Sequence, residues 1–264
     1  VLKHSEPILL LGIPESALDK FNAQYLGKGV RDKIEVGPSR PTENVLGVDA
    51  ISGATVTVIA QNQVITTSAN AVARQVGLVP PVVRNAARYA PVAGALDWAA
   101  LVKAGVVQRL AVRPEQVGLQ RASEPFIELW FGDLNHPDYG RALLGQRSWE
   151  NLRERLKPHE HAVFVVRTGG AESFKGSGFV RGGLYDRIQV RQGDDAFTFR
   201  DLDYINLYGL EAAGAPSYTE SGIFIIRSKA FSAAYPWKLS FLGNRVDRAT
   251  GQRSFANFDA AYWL

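Results

Sequence analysis

The sequence has no cysteine and no methionine in 264 residues. Without cysteine there is no disulfide, no thiolate metal centre and no cysteine-held cluster. An oxidising compartment is permitted by this, not demonstrated. Average usage would supply about five methionines to a chain of this length, and no feature of the pattern accounts for their absence. Long apolar runs are missing too, and no stretch reaches the ~18 residues of a membrane-spanning helix. Runs of like charge are also absent. Thirty Lys and Arg against 26 Asp and Glu leave a net charge of +4. These charges are scattered, which argues against a basic arm for nucleic acid and against direct nucleic-acid binding. The chain opens at Val1-Leu2-Lys3-His4, without Met or a secretory signal. That opening reads as the middle of a strand, so a piece of a longer protein is expected.

What is present suffices for a folded core. The chain is 46% hydrophobic, and its length suits one large or two modest domains. Pro14-Glu15-Ser16 opens a helix carrying Leu18, Phe21 and Tyr25, which Gly27 stops. Lys33–Val36 alternates as a short strand. A long helical pattern starts at Thr55, with Val58, Ile65, Ala69, Val72 and Val76 on one face, and ends at Gly77 before Pro80-Pro81. Residues 81–95 form a Pro- and Ala-rich linker, separating a domain at 1–80 from a region at 96–264. In the second region helices are expected near Asp97–Leu110 and Ser148–Leu156, and strands at Ala162–Val166, Tyr185–Val190, Ala196–Phe199, Gly222–Arg227, Trp237–Phe241 and Arg253–Phe258. Gly193-Asp194-Asp195 and Gly243-Asn244 read as hairpin turns. The fold class is therefore α+β, with antiparallel strands dominating the second region.

One segment carries a chemical signal: Asp49-Ala50-Ile51-Ser52-Gly53-Ala54-Thr55. It resembles the flavinylation motif of the FMN-binding domain family: Asp, two loosely specified residues, Ser or Thr, then Gly-Ala-Thr. Five fixed positions should coincide by chance in well under about one in a thousand chains of this length. The resemblance implies that Thr55 is esterified to FMN. It also implies that a separate FAD- and magnesium-dependent flavin transferase makes the bond, with AMP leaving. Its site residues would be Thr55, Ala54, Gly53, Ser52 and Asp49. The bland alternative is an ordinary helix cap supplied by Ser52 or Thr55. The spacing suits the chemistry. Small residues at 52–54 leave room for a transferase and a phosphate. Thr55 opens a helix whose first N–H groups favour an anion by roughly 0.3–1 kcal/mol.

Residues His4-Ser5-Glu6-Pro7, then Gly12-Ile13-Pro14-Glu15-Ser16, resemble the strand and turn before the motif. His4 and Glu6 thereby join the candidate site. Pro7 stands where the family usually has Thr, and this departure resembles the branch found in membrane proteins of nitrous oxide respiration. That branch implies a domain on the periplasmic side of the bacterial inner membrane. Its implied partners are nitrous oxide reductase or its maturation proteins, and the parent protein's own membrane and iron–sulfur regions. A redox sensor controlling nitrous oxide reductase expression remains open beside an electron carrier, as does a subunit of the sodium-pumping or Rnf type. A flavin reductase lacks any substrate-binding constellation.

Other signals are weaker. The glycine-rich run 176–182 lacks the dinucleotide spacing and a following helix, but its backbone, with Phe174 or Phe179, would be able to approach a flavin ring. His159 and His161 would share a strand face, with a solvated turn as the default and no third metal ligand. Trp130, Trp149 and Trp237 read as core.

Overall fold

The computed structural model describes residues 14–37, 39–51, 54–80, 82–94, 96–176, 183–246 and 253–263. They form two compact units: Val1–Val82 with Asn244–Ala256, and Val83–Gly243 with Asn257–Leu264.

In the first unit, helix α1 (Glu15–Ala23) follows Pro14, whose extended backbone starts the turn. Glu15 in its first turn and Lys20 in its last oppose the ends of the helix dipole. The helix buries Leu18 and Phe21. Strands β1 (Lys33–Val36) and β2 (Val45–Val48) pair in parallel, Lys33 opposite Val45 and Val36 opposite Val48. Asn44 turns the chain into β2 from the left-handed region at φ 54°, which asparagine tolerates better than most side chains. Helix α2 (Thr55–Gln75) follows. Leu18, Phe21, Val36, Val48, Ala54 and Val58 make the core of this unit.

The expected apolar face of α2 is only partly the buried one. Val58 is buried, but Ala69, Val72 and Val76 are exposed. Among the described side chains of α2 the buried positions are Thr57, Val58, Gln61 and Ala73. Only the first turns pack on the hydrophobic core, so the later valines follow helical spacing without a surface to cover.

The second unit is layered. Strands β3 (Gln108–Val112), β4 (Ile127–Asp133), β5 (His161–Gly169), β9 (Glu220–Ile226) and β8 (Tyr204–Ile205) form a five-stranded sheet in that order. All neighbouring pairs in it are antiparallel. A second sheet has the order β11 (Arg253–Tyr262), β10 (Trp237–Val246), β6 (Leu184–Gln192), β7 (Asp195–Arg200). One core lies between the sheets, with Leu129, Phe131, Val163, Val165, Phe224 and Trp237. The other face of the first sheet packs under helices α3 (Trp98–Lys103), α4 (Pro137–Leu144) and α5 (Gln146–Arg155), through Leu101, Leu143, Trp149, Ala162, Phe164 and Val166. Side chains of β5 thus alternate between two apolar layers, which is why Ala162–Val166 is a continuous apolar run. Each fully buried Phe contributes roughly 1.5–3 kcal/mol.

The structure departs from expectation at several places. The helix expected over Asp97–Leu110 stops at Lys103, because Gly105 adopts φ 78° and the chain re-enters as β3. Gly243-Asn244 is no turn: β10 runs through it to Val246. The turn at Gly193 is real, with φ 58° between β6 and β7. Phe174 is fully buried against Phe224, so it presents no face to a flavin; Phe179 lies outside the described residues. From Arg84 onward the segment before α3 is tied down. Arg84 pairs with Asp195 at 3.1 Å, Ser232 Oγ donates to the Asn85 carbonyl, and Val92 N–H donates to Asp138 at 2.8 Å.

Candidate functional site

Two buried anchors define the motif loop. Val48 ends β2 and Ala54 precedes α2, with relative exposures of 1% and 2%. Between them Asp49 and Ala50 are exposed and Ile51 is half-buried. The loop closes on itself where Ala54 N–H donates to the Ile51 carbonyl at 3.0 Å.

A second fastening comes from α1. Asp49 N–H donates to Gln24 Oε1 at 2.7 Å, and Gln24 Nε2 donates to the Asp49 carbonyl at 3.2 Å. The amide side chain therefore pairs with the backbone of Asp49 in both directions, as a neighbouring strand would. This leaves the Asp49 carboxylate exposed while its backbone is held. Asn62 of α2 accepts a 2.7 Å bond from the Tyr25 hydroxyl and donates to the Ile34 carbonyl at 3.4 Å. Burial raises the Tyr25 pKa, so this phenol keeps its proton and its bond.

Thr55 is the first residue of α2, and the capping position belongs to Ala54. Of the two capping residues expected, Thr55 lies one position too late, and Ser52 lies outside the described residues. An alanine has no side-chain acceptor for the first-turn N–H groups. The residue at the capping position itself therefore supplies no oxygen of the kind Ser, Thr, Asp or Asn would place there.

Beside the loop lies a hollow of about 410 Å³, lined by Ala17, Lys20, Phe21, Gln24, Asp49, Ala50 and Ile51. This size falls within the range of roughly 300–1,000 Å³ typical of small-molecule sites. Its wall along and just after α1 has the helical spacing 17, 20, 21, 24, which puts one ammonium and one amide on the side of Phe21, itself a buried core ring. The ammonium and amide suit a ligand that carries negative charge and hydrogen-bonding groups. From Ile51 to Thr55 is four residues, at most about 14 Å of extended chain.

The structure therefore groups Asp49, Ala54 and Thr55 on one loop and helix start. His4, Glu6, Ser52 and Gly53 lie outside the described residues, as do residues 177–182 of the glycine-rich run. Sequence reasoning missed Lys20, Phe21 and Gln24, whose only signal was their shared face on α1. The His159–His161 reading is corrected in part: His161 is no solvated turn residue but the buried first residue of β5.

No family model matches the chain, and no solved structure matches it. Curated relatives do. "Regulatory protein NosR" of Pseudomonas aeruginosa is 40% identical, over 99% of this chain and 39% of that protein. Its namesake in Stutzerimonas stutzeri is 38% identical, over 99% of this chain and 38% of that protein. "Protein NirI" of Paracoccus denitrificans is 26% identical, over 85% of this chain and 32% of that protein. The chain thus spans 39% and 38% of the lengths of the two NosR proteins.

Proposed function

We propose that this chain, a homologue of the NosR regulatory proteins along 99% of its length, is an electron-transfer module carrying FMN on Thr55. One observation carries the reading. The motif Asp49 to Thr55 has its threonine first in a 21-residue helix, after an alanine cap, and its Asp49, Ala50 and Ile51 line a hollow with a lysine on its wall.

In loading, the Thr55 hydroxyl oxygen attacks the phosphorus of the FMN half of FAD. The bond to AMP breaks, AMP leaves, and the hydroxyl proton passes to the magnesium-dependent transferase. The first turn of α2, with the positive end of the helix dipole, would favour the singly charged phosphodiester. Gln24 holds the loop in the shape offered to the transferase, and Asp49 presents the carboxylate that the transferase reads. The side chains of Lys20 and Gln24 line the hollow beside the motif residues Asp49, Ala50 and Ile51. When bound, the flavin supplies the redox chemistry, and the protein supplies position and electrostatics. The module would work on the periplasmic side of the inner membrane. There it would pass electrons between the parent protein's membrane and iron–sulfur regions and nitrous oxide reductase or its maturation proteins.

Coexpression with a flavin transferase tests the assignment. Intact mass should rise by one FMN, less water, per chain, and the flavin should survive denaturation on a peptide containing Thr55. Flavin released entirely on denaturation, or found on another peptide, would overturn it. A second reading draws on the printed name of the relatives, which calls them regulatory. In the full-length parent, Thr55→Ala separates the two. Retained expression of nitrous oxide reductase with lost nitrous oxide reduction supports the carrier, whereas lost expression supports the regulator.

A further inference from the structure

The second unit contains a buried carboxylate that the flavin reading does not use. Asp133, the last residue of β4, is 5% exposed. Its Oδ1 accepts from Asn135 N–H at 2.5 Å, while its Oδ2 is buried without a hydrogen-bond partner. The nearest basic group is His161, whose Nδ1 lies 3.9 Å from that oxygen.

This arrangement is not an ion pair. Asn135 Oδ1 accepts from Ala162 N–H at 2.8 Å, which fixes the orientation of the amide. Asn135 Nδ2 then donates to the Glu160 carbonyl at 3.1 Å and faces His161 Nδ1 at 2.9 Å. An N–H pointing at Nδ1 makes that nitrogen an acceptor, so the ring proton sits on Nε2 and the imidazole is neutral. A charged Asp133 Oδ2 would therefore face a lone pair, with no hydrogen between them.

The remaining neighbours do not repair this. Arg153 of α5 is a cation whose field acts on Asp133, yet its Nη1 is buried without a hydrogen-bond partner among the described residues. Among the described residues no ion pair joins the two. Tyr262 of β11 and Tyr89 before α3 are held neutral by burial; Tyr139 of α4 is a further phenol on this side, acting on Tyr262. His159 adds only repulsion to a charged His161. His136 of α4 is kept neutral by burial and is engaged with the Ala90 carbonyl.

We propose that Asp133 is a buried proton-binding site, with one exchangeable proton on Oδ2, beside a neutral His161 whose Nδ1 is already engaged by Asn135 and supplies no hydrogen to the carboxylate. The reaction is carboxylic acid to carboxylate plus a proton released to solvent. Desolvation, the largest influence, pushes the Asp133 pKa up to about 7, and burial pushes that of His161 down to about 4.

The site also touches the last strand. Asp133 N–H donates to the Tyr262 hydroxyl at 3.3 Å, and that hydroxyl donates to the Val106 carbonyl at 3.1 Å. Tyr262 in turn stacks on Trp237, with ring centroids 4.4 Å apart. Proton loss places a negative charge beside a hydroxyl whose proton is already committed, so it loosens the hold on β11.

Carboxyl carbon NMR of the full chain, with labelled aspartate, tests this between about pH 5 and about pH 9. One aspartate signal should titrate near 7 and vanish in Asp133→Asn, and His161 should stay neutral, protonated on Nε2, throughout. Assignment through the sequence in the unmodified chain serves equally if the variant does not fold. An Asp133 signal titrating near the ordinary value of about 4, or a charged His161 across the range, overturns the proposal. Either would mean that Asp133 is ionised and compensated by Arg153 or His161.

Discussion

Removing the Gln24 amide unpins the backbone of Asp49 without touching the motif. Gln24→Ala deletes two hydrogen bonds to a half-exposed loop, a stability cost of about 1–2 kcal/mol. The larger effect should be on flavin loading, because the transferase would meet an unfixed loop. A transferase assay with purified chain and FAD should show slower loading at unchanged circular dichroism; loading at the unmodified rate would refute the positioning role. Thr55→Val should abolish attachment, while Thr55→Ser keeps a hydroxyl and should retain some. Asp49→Ala should impair loading more than melting temperature, since the carboxylate is exposed and only the backbone is bonded. Among these residues, Asp49 and Thr55 are legible in the sequence because a motif is a local pattern. Gln24 is not, because its bonds to Asp49 span 25 residues and no local rule links a helix end to a distant loop.

At the scale of elements, legibility follows how far local pattern and tertiary packing agree. Strand β5 is legible because both of its faces are buried, which writes an unbroken apolar run. Helix α5 is legible from Trp149, Leu152 and Leu156 at helical spacing. The region from Leu101 to Leu110 misleads because Val106, Val107 and Leu110 prolong an apolar pattern past Gly105, where the backbone leaves the helix. Helix α4 carries a start signal in Pro137 at its first position, completed by the His136 ring accepting from Asp138 N–H at 3.2 Å. Inside it, Gly140 is set by packing. A Cβ there would overlap the Trp149 ring and approach the Leu134 carbonyl, which accepts the Trp149 Nε1–H bond at 2.8 Å. Gly140→Ala should therefore destabilise the second unit by about 1–3 kcal/mol through overpacking, despite alanine's better helix propensity. Denaturant unfolding followed by tryptophan fluorescence measures this, and a stabilised variant would contradict the packing argument.

At the scale of the whole molecule, all five tryptophans fall in the second unit, at positions 98, 130, 149, 237 and 263. Fluorescence therefore reports unfolding of that unit even if the first unfolds separately. Its pH dependence combines two opposed terms. Asp133 has an ordinary value of 3.8 and a folded value of about 7. The folded state thus binds the extra proton, and stability falls as pH rises through that window. His161 has an ordinary value of 6.5 and a folded value of about 4. There the unfolded state binds the extra proton, and stability rises with pH across that window. Between about pH 4 and about pH 6.5 the two slopes cancel, and the Asp133 term alone remains up to about pH 7. Asp133→Asn removes one slope and exposes the other. The variant should gain stability with pH up to about 6.5 and then level off. Its advantage over the unmodified chain should grow by roughly 4 kcal/mol across the Asp133 window, about three pKa units at 1.36 kcal/mol each. The asparagine keeps an acceptor for Asn135 N–H and carries no charge, so it stands in for the protonated acid. A difference between the two chains that does not change with pH would show that Asp133 keeps the same charge in the folded and unfolded states.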